Sequence, residues 1–256
     1  MIKIYIAFWL FLFGTVFGSF LNCAAMRIVR GEDFIRGRSR CRSCGHELRA
    51  MDLIPIVSWL LSHGRCRYCK AKLSLRYPLT ELVFAVALEG LFFRYGITVA
   101  FAGASCLTGC LFVLSLVDLE ILEIPDGCLL TGVIAFCVTA PFTMESAKAF
   151  FLHVAAGLVT GVVMLVLSLV MDGVLQRESM GGGDIKLFAL LGLWFGFTGI
   201  LILTFLSCIF GLLFVSVRRR QTEPGGIFPF GPAIAAAAYV MLIFGDGLRD
   251  WYFRFL

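Results

Sequence analysis

From Ile185 to Val217 the chain carries one charged residue, Lys186. A stretch so long with so little to offer water belongs either in the centre of a very large soluble domain or in a lipid bilayer. Composition decides between them: of 256 residues, 60% are hydrophobic and 15% charged, more apolar matter than a soluble domain of this size uses for its core. A helical span needs about 20 mostly apolar residues. The charged punctuation marks segments of that kind near 4–25, 78–95, 97–117, 128–143, 150–171, 185–197, 199–217 and 229–245. The chain is therefore expected to be an all-α polytopic membrane protein, a bundle of about eight transmembrane helices. Between the sixth and seventh spans only Gly192, Gly196 and Gly199 hint at a turn.

Lysine and arginine near span ends favour the cytoplasmic side. With the N-terminus outside, all of the 22 lysines and arginines except Lys3, Arg94, Lys148, Arg249 and Arg254 fall in cytoplasmic segments, among them Arg36, Arg177, Arg219 and Arg220. The net charge of +5 is then a topology signal. It points to membrane lipid as the surrounding partner and needs no nucleic acid. The first apolar segment resembles a signal peptide with a lipobox-like "FLNC" ending at Cys23, but Asn22 stands where that box wants a small residue, and the basic cluster that follows opposes export. A retained first helix is expected. The organisation predicted is a first transmembrane helix over 1–26, a cytoplasmic metal-binding loop subdomain over 27–77, and a transmembrane bundle over 78–256.

Inside the loop, "CRSCGHELRAMDLIPIVSWLLSHGRCRYC" places Cys41 and Cys44 two apart and Cys66 and Cys69 two apart. Two Cys-x-x-Cys hairpins can bring four thiolates into a tetrahedron, and zinc is the natural guest. A loop with few large apolar side chains gains from a metal the stability it lacks by itself. Disulfides or idle thiols are the alternatives; a reducing cytoplasm argues against the first and the paired spacing against the second. His46 and His63 lie close enough in sequence to replace a ligand.

Carboxylates stand at two edges of the apolar runs. "LSLVDLEILEIPDG" ends the third span with Asp118, and "MGGGDIK" opens the sixth with Asp184. Under this topology both face the cytoplasmic boundary. Two carboxylates a few ångströms apart share a proton, so that one serves as base toward water and the other as acid toward a carbonyl. Gly181, Gly182 and Gly183 would permit positive φ and close approach of a substrate chain. Other readings stay open at this point: both aspartates as helix caps, or, with Glu81 and Glu89 of the second span, a carboxylate-lined ion or proton path. A non-catalytic assembly scaffold docking through its metal loop is a third.

Taken in order, "FGSFLN" at 17–22, the two Cys-x-x-Cys pairs, "IPIVSWL" at 54–60, "RYPLTE" at 76–81, the stretch from Asp118 to Asp126, "GGGDIK" at 181–186 and "FPFGPAIA" at 228–235 resemble the type IV prepilin peptidases, the bifunctional leader peptidases and N-methyltransferases of pilus and type II secretion systems. The resemblance implies a membrane aspartic endopeptidase in the bacterial inner membrane. Such an enzyme cleaves the leader of prepilins and pseudopilins after a glycine at the cytoplasmic face. It then methylates the new N-terminal amine, usually that of phenylalanine, with S-adenosylmethionine as donor. Asp118 and Asp184 match the family's catalytic aspartates, while Gly181, Gly183, Lys186 and Asp126 fall beside them as accessory positions. Glu120 stands where the family often has a second aspartate. No glycine-rich nucleotide fingerprint follows a strand, so residue chemistry assigns no site to the methyl donor.

Overall fold

Backbone amides in lipid have no water to bond, so long apolar runs become helices that satisfy themselves. The computed structural model describes residues 1–33, 37–176, 179–218 and 228–254, and helix dominates them. Two compact units divide the chain, Met1–Arg94 and Tyr95–Leu256.

The first unit is built on α1 (Ile2–Val29) and α3 (Arg76–Tyr95), joined by the polar loop. A short 3-10 turn (Ala50–Leu53) and the five-residue α2 (Val57–Leu61) lie in that loop. Glycines let α1 and α3 meet backbone to backbone. A Cβ added at Gly14 would stand 2.8 Å from Ala85 Cα, and one at Gly18 would stand 3.1 Å from Glu81 Cα. Contact thus moves up α1 as it moves down α3, which makes the pair antiparallel and sets its register.

The second unit holds α4 (Val99–Ile121), α5 (Asp126–Thr143), α6 (Ala147–Leu175), α7 (Gly182–Arg218) and α8 (Gly231–Phe253). Hydroxyl caps start two of them: Thr98 Oγ1 accepts from Phe101 N–H and Ser146 Oγ from Ala149 N–H, both at 3.2 Å. Helix α7 packs on α5, α6 and α8, and α4 on α5 and α8. Leu187, Phe188, Leu191 and Leu203 of α7 and Ile234 of α8 are fully buried.

Helix α7 is broken. Gly196 has φ 66° and ψ −175°, a conformation in which a side chain would be strained. The break frees carbonyls that a bilayer interior cannot solvate. Two neighbouring helices supply partners: Arg249 Nη2 of α8 donates to Phe195 O at 2.7 Å, and His153 Nδ1 of α6 lies 2.8 Å from Leu193 O.

Among the described residues six helices are long and apolar enough to cross a membrane: α1, α4, α5, α6, α7 and α8. Helix α3 carries Arg76, Glu81, Glu89 and Arg94 and is not among them, and α7 contains the expected sixth and seventh spans end to end. The expected architecture of about eight spans is all-α and membrane-embedded, as found. Most of its boundaries were drawn too short, because helices continue past the last apolar residue into charged flanks, whereas α4 and α8 begin two residues later than expected. Of the residues that set the expected orientation, Arg36, Arg177, Arg219 and Arg220 lie outside the described residues.

Candidate active site and metal loop

Helix α4 does not stop at Asp118, as its charge led one to expect. It runs one turn further to Ile121 and closes on Leu122 in the left-handed region, φ 58°. Asp118 is thereby drawn inside the unit, with 5% of its surface exposed. A buried carboxylate needs hydrogen-bond donors. Its Oδ2 accepts the backbone N–H of Gly231, 2.8 Å away at the start of α8. That contact requires a glycine: a Cβ there would stand 2.8 Å from the same oxygen.

Asp184 comes from the opposite direction in sequence. Helix α7 begins at Gly182, so Asp184 sits inside its first turn, where a carboxylate favours the helix dipole. It is not the N-cap, which corrects that reading of the residue. The negative charges of Asp118 and Asp184 act on one another across the space between α4 and α7. The glycines before Asp184 lack positive φ, contrary to expectation. Gly183 is needed for close approach, since a Cβ would lie 2.9 Å from Ile124 Cβ, whereas one at Gly181 would make an ordinary contact with Asp184 at 3.5 Å. Lys186 reaches Asp126 at the head of α5, Nζ to Oδ1 2.7 Å, on the exposed side of the same corner. Ahead of the glycines, Asp172 Oδ1 accepts the N–H of Ser179 at 2.6 Å and Ser179 Oγ donates to Ser168 O at 3.3 Å, tying the segment that delivers Asp184 to α6.

In the loop, two hairpins repeat one design. Cys41 N–H donates to His46 O and Gly45 N–H to Cys41 O, each at 2.9 Å; Cys66 N–H donates to Ala71 O at 2.8 Å and Lys70 N–H to Cys66 O at 3.0 Å. Both turn on positive φ, 71° at Gly45 and 61° at Lys70. Bridges between Arg40 and Glu47 and between Arg65 and Lys72 close the hairpin stems. The four sulfurs lie within 4.8 Å of one another, Cys41 and Cys69 at 3.9 Å. A zinc–sulfur bond of about 2.3 Å in a tetrahedron implies sulfurs about 3.8 Å apart, so this cluster could hold a metal ion. The backbone N–H groups of Cys44 and then Ser43 pull the Cys41 thiol down to about 6, giving a thiolate donor at neutral pH. His46 stacks on Tyr68 with ring centroids 3.7 Å apart, and the metal-holding group consists of the four cysteines. Around it, Tyr68 donates to Asp52 at 3.1 Å, Asp52 also meets Arg67 at 3.4 Å, and Arg38 and Arg40 each pair with Glu47 at 3.0 Å.

Gly231, Asp172 and Ser179 were not singled out from sequence. The signal for Gly231 was present in "FPFGPAIA", which its own chemistry left mute. Asp172 and Ser179 resemble any polar pair at a helix end.

Residues 12–95 match the family model described as the bacterial peptidase A24 N-terminal domain, and residues 105–216 match that of the type IV leader peptidase family. A Bacillus subtilis protein named prepilin leader peptidase/N-methyltransferase is 31% identical over 252 residues, covering 96% of this chain and 97% of its own. Proteins of the same name from Pseudomonas putida (34% identical, 81% of this chain and 72% of theirs) and Aeromonas hydrophila (31%, 94% and 92%) are also similar. No solved structure matches the chain. With two family models in order along the sequence and relatives alike over 72% to 97% of their own length, the chain belongs to the type IV leader peptidase family.

Proposed function

We propose that this protein cleaves the leader from type IV prepilins and pseudopilins, after a glycine, and methylates the new terminal amine. It acts as a multi-pass protein of the bacterial inner membrane with its active site at the cytoplasmic face. The observation that carries the reading is that two buried carboxylates from distant helices lie near enough for their charges to act on one another, Asp118 held by Gly231 N–H and Asp184 in the first turn of α7. The names borne by the relatives support the pair of activities.

Asp118 and Asp184 hold one proton between them, because two ionised carboxylates in so apolar a place repel. The ionised partner takes a proton from water as the water attacks the scissile carbonyl. The protonated partner gives its proton to the carbonyl oxygen; as the C–N bond breaks it takes that proton back, while the partner that took water's proton delivers it to the leaving amine. Gly231 fixes the heading of Asp118, and the Ser179–Asp172 tie and Gly183 fix that of Asp184. Lys186, held by Asp126, keeps a cation at the rim. Cys41, Cys44, Cys66 and Cys69 would hold zinc, whose role is to fold the loop. S-adenosylmethionine, the methyl donor implied by the family, supplies an electrophilic methyl group.

The ion-path reading is not favoured, since one of its two carboxylates, Glu81, accepts a backbone N–H from the loop. Incubating the purified protein with a prepilin, with and without S-adenosylmethionine, and weighing the product tests the proposal. Loss of the leader in both samples and one extra methyl group in the second are expected. An intact prepilin would refute it.

A further inference from the structure

The first unit contains a buried polar cluster that leader cleavage by the aspartates does not use. Glu81, in the second turn of α3, is 6% exposed. Its Oε2 accepts the N–H of Ile56 at 2.7 Å, and the Ser19 hydroxyl of α1 faces the same carboxylate. No lysine, arginine or histidine among the described residues pairs with it. Asn22, one turn beyond Ser19 on α1, is 3% exposed, and its Oδ1 is buried with no hydrogen-bond partner. The antiparallel register set by Gly14 and Gly18 carries Asn22 to the first turn of α3, next to the turn that bears Glu81. Ile56, which lies over the carboxylate, has φ 60°, a strained value for a β-branched residue.

A buried carboxylate without a cation and a buried carbonyl oxygen without a donor are each costly in an apolar surround. Both lack the same thing, a positively charged donor of several hydrogen bonds. The cluster also lies at the loop end of α1 and α3, and Ser19 is only half-buried, which leaves a side for entry. A protonated amine at the tip of a hydrophobic helix fits that demand in charge and in number of donors.

We propose that Glu81, Asn22 and Ser19 form the subsite that receives the α-ammonium of the cleaved substrate for methylation. This rests on the function proposed above. Three N–H donors of the ammonium meet the Glu81 carboxylate, Asn22 Oδ1 and Ser19 Oγ. Glu81 takes one proton, leaving a lone pair on nitrogen. The nitrogen then forms a bond to the methyl carbon of the sulfonium donor, while the carbon–sulfur bond breaks and its electron pair stays on sulfur. The proton passes from Glu81 to water.

The test is binding. A synthetic peptide with the sequence of a cleaved pilin's hydrophobic helix, led by phenylalanine, is titrated into the full-length protein in detergent with no methyl donor, once with a free amine and once N-acetylated. Charge-assisted hydrogen bonds to a buried carboxylate predict a preference for the free amine of about tenfold or more. Glu81→Gln keeps an oxygen for Ile56 N–H but loses the charge, and should lose most of that preference. Asn22→Ala separates ligand binding from folding. It deletes an acceptor that bonds to nothing in the protein, so a purely structural role predicts unchanged or higher melting temperature and an unchanged preference, whereas the proposal predicts a preference several-fold smaller. Zinc content and melting temperature are read in each preparation. Equal binding of the two peptides by the wild type would overturn the proposal, as would full preference in both variants. Wild-type protein that prefers the amine yet neither cleaves a prepilin nor methylates would support the subsite while refuting the function proposed for the chain.

Discussion

Replacing Gly231 with alanine puts a methyl group where Asp118 already is. The added Cβ would stand 2.8 Å from Asp118 Oδ2, 3.2 Å from Cγ and 3.4 Å from Cβ. Ordinary non-bonded carbon contacts begin near 3.5 Å, so the carboxylate must retreat by roughly half an ångström and its hydrogen bond from Gly231 N–H lengthens. Asp118 has little freedom to do so, since Val117, Leu114 and Ile234 nearby in sequence or element are fully buried. A catalytic group misplaced by 1 Å costs about a hundredfold in rate, and constellations tolerate about 0.5 Å. Gly231→Ala should therefore lower kcat for leader cleavage by about tenfold and leave KM nearly unchanged. Initial rates on a prepilin in detergent measure it, with Gly173→Ala as the control, because nothing lies within 4 Å of a Cβ there. Wild-type turnover by Gly231→Ala would refute the claim that this backbone contact aims Asp118.

Asp118→Asn and Asp184→Asn should each reduce cleavage by about 10²–10⁴-fold with the protein still folded, because an amide cannot exchange the proton; near-normal turnover in either would end the dyad assignment. Replacing Cys41 and Cys44 with serine should release the metal and depress methylation more than cleavage, and a full equivalent of retained zinc would contradict the four-cysteine site. Zinc-stripped protein should take up zinc at pH 7 and bind it more weakly as the pH falls, since the ligands must be thiolates and the Cys41 thiol, drawn down to about 6, protonates below that value; uptake that does not weaken between pH 7 and pH 5 would show that thiolates do not hold the metal. Arg249→Ala strands the Phe195 carbonyl and should destabilise the second unit by about 1–3 kcal/mol, read as a lower melting temperature; an unchanged melt would mean that another group caps the break.

What sequence reveals here depends on how locally the physics is written. Cys-x-x-Cys spacing is a property of two short turns, so the metal loop was legible down to its four sulfurs. Apolar runs report helices, although not where they end. Asp118 looked like a boundary because charge usually marks one, yet the helix buries it by finding Gly231, a donor 113 residues away. The turn between the sixth and seventh spans was legible as three candidate glycines, and only packing selects Gly196. His153 and Arg249, which make that break tolerable, sit on other helices, and neither carries any mark of the role in its own neighbourhood. The same holds for Glu81, which sequence could offer only as an intramembrane charge. Its partners Ile56 and Ser19 come from the loop and from α1.

The break at Gly196 also governs what each end of α7 can know about the other. In an unbroken helix one inserted residue turns everything beyond it by about 100°, so a change in length near Val217 would be felt as a change in heading anywhere along the rod that is held at the far end. Here the rod is two independent screws. Beyond the break the helix takes its heading from its own packing, with Leu203 fully buried and Gly211 so near Phe230 that a Cβ would stand 2.9 Å from that ring, while the stretch from Gly182 to Phe195, pinned by Arg249 and His153, keeps its phase. Asp184, about three turns before the break, is thus steered by its own short segment, and a change of length in the exposed last turn of α7, near Val217, need not turn the carboxylate away from Asp118.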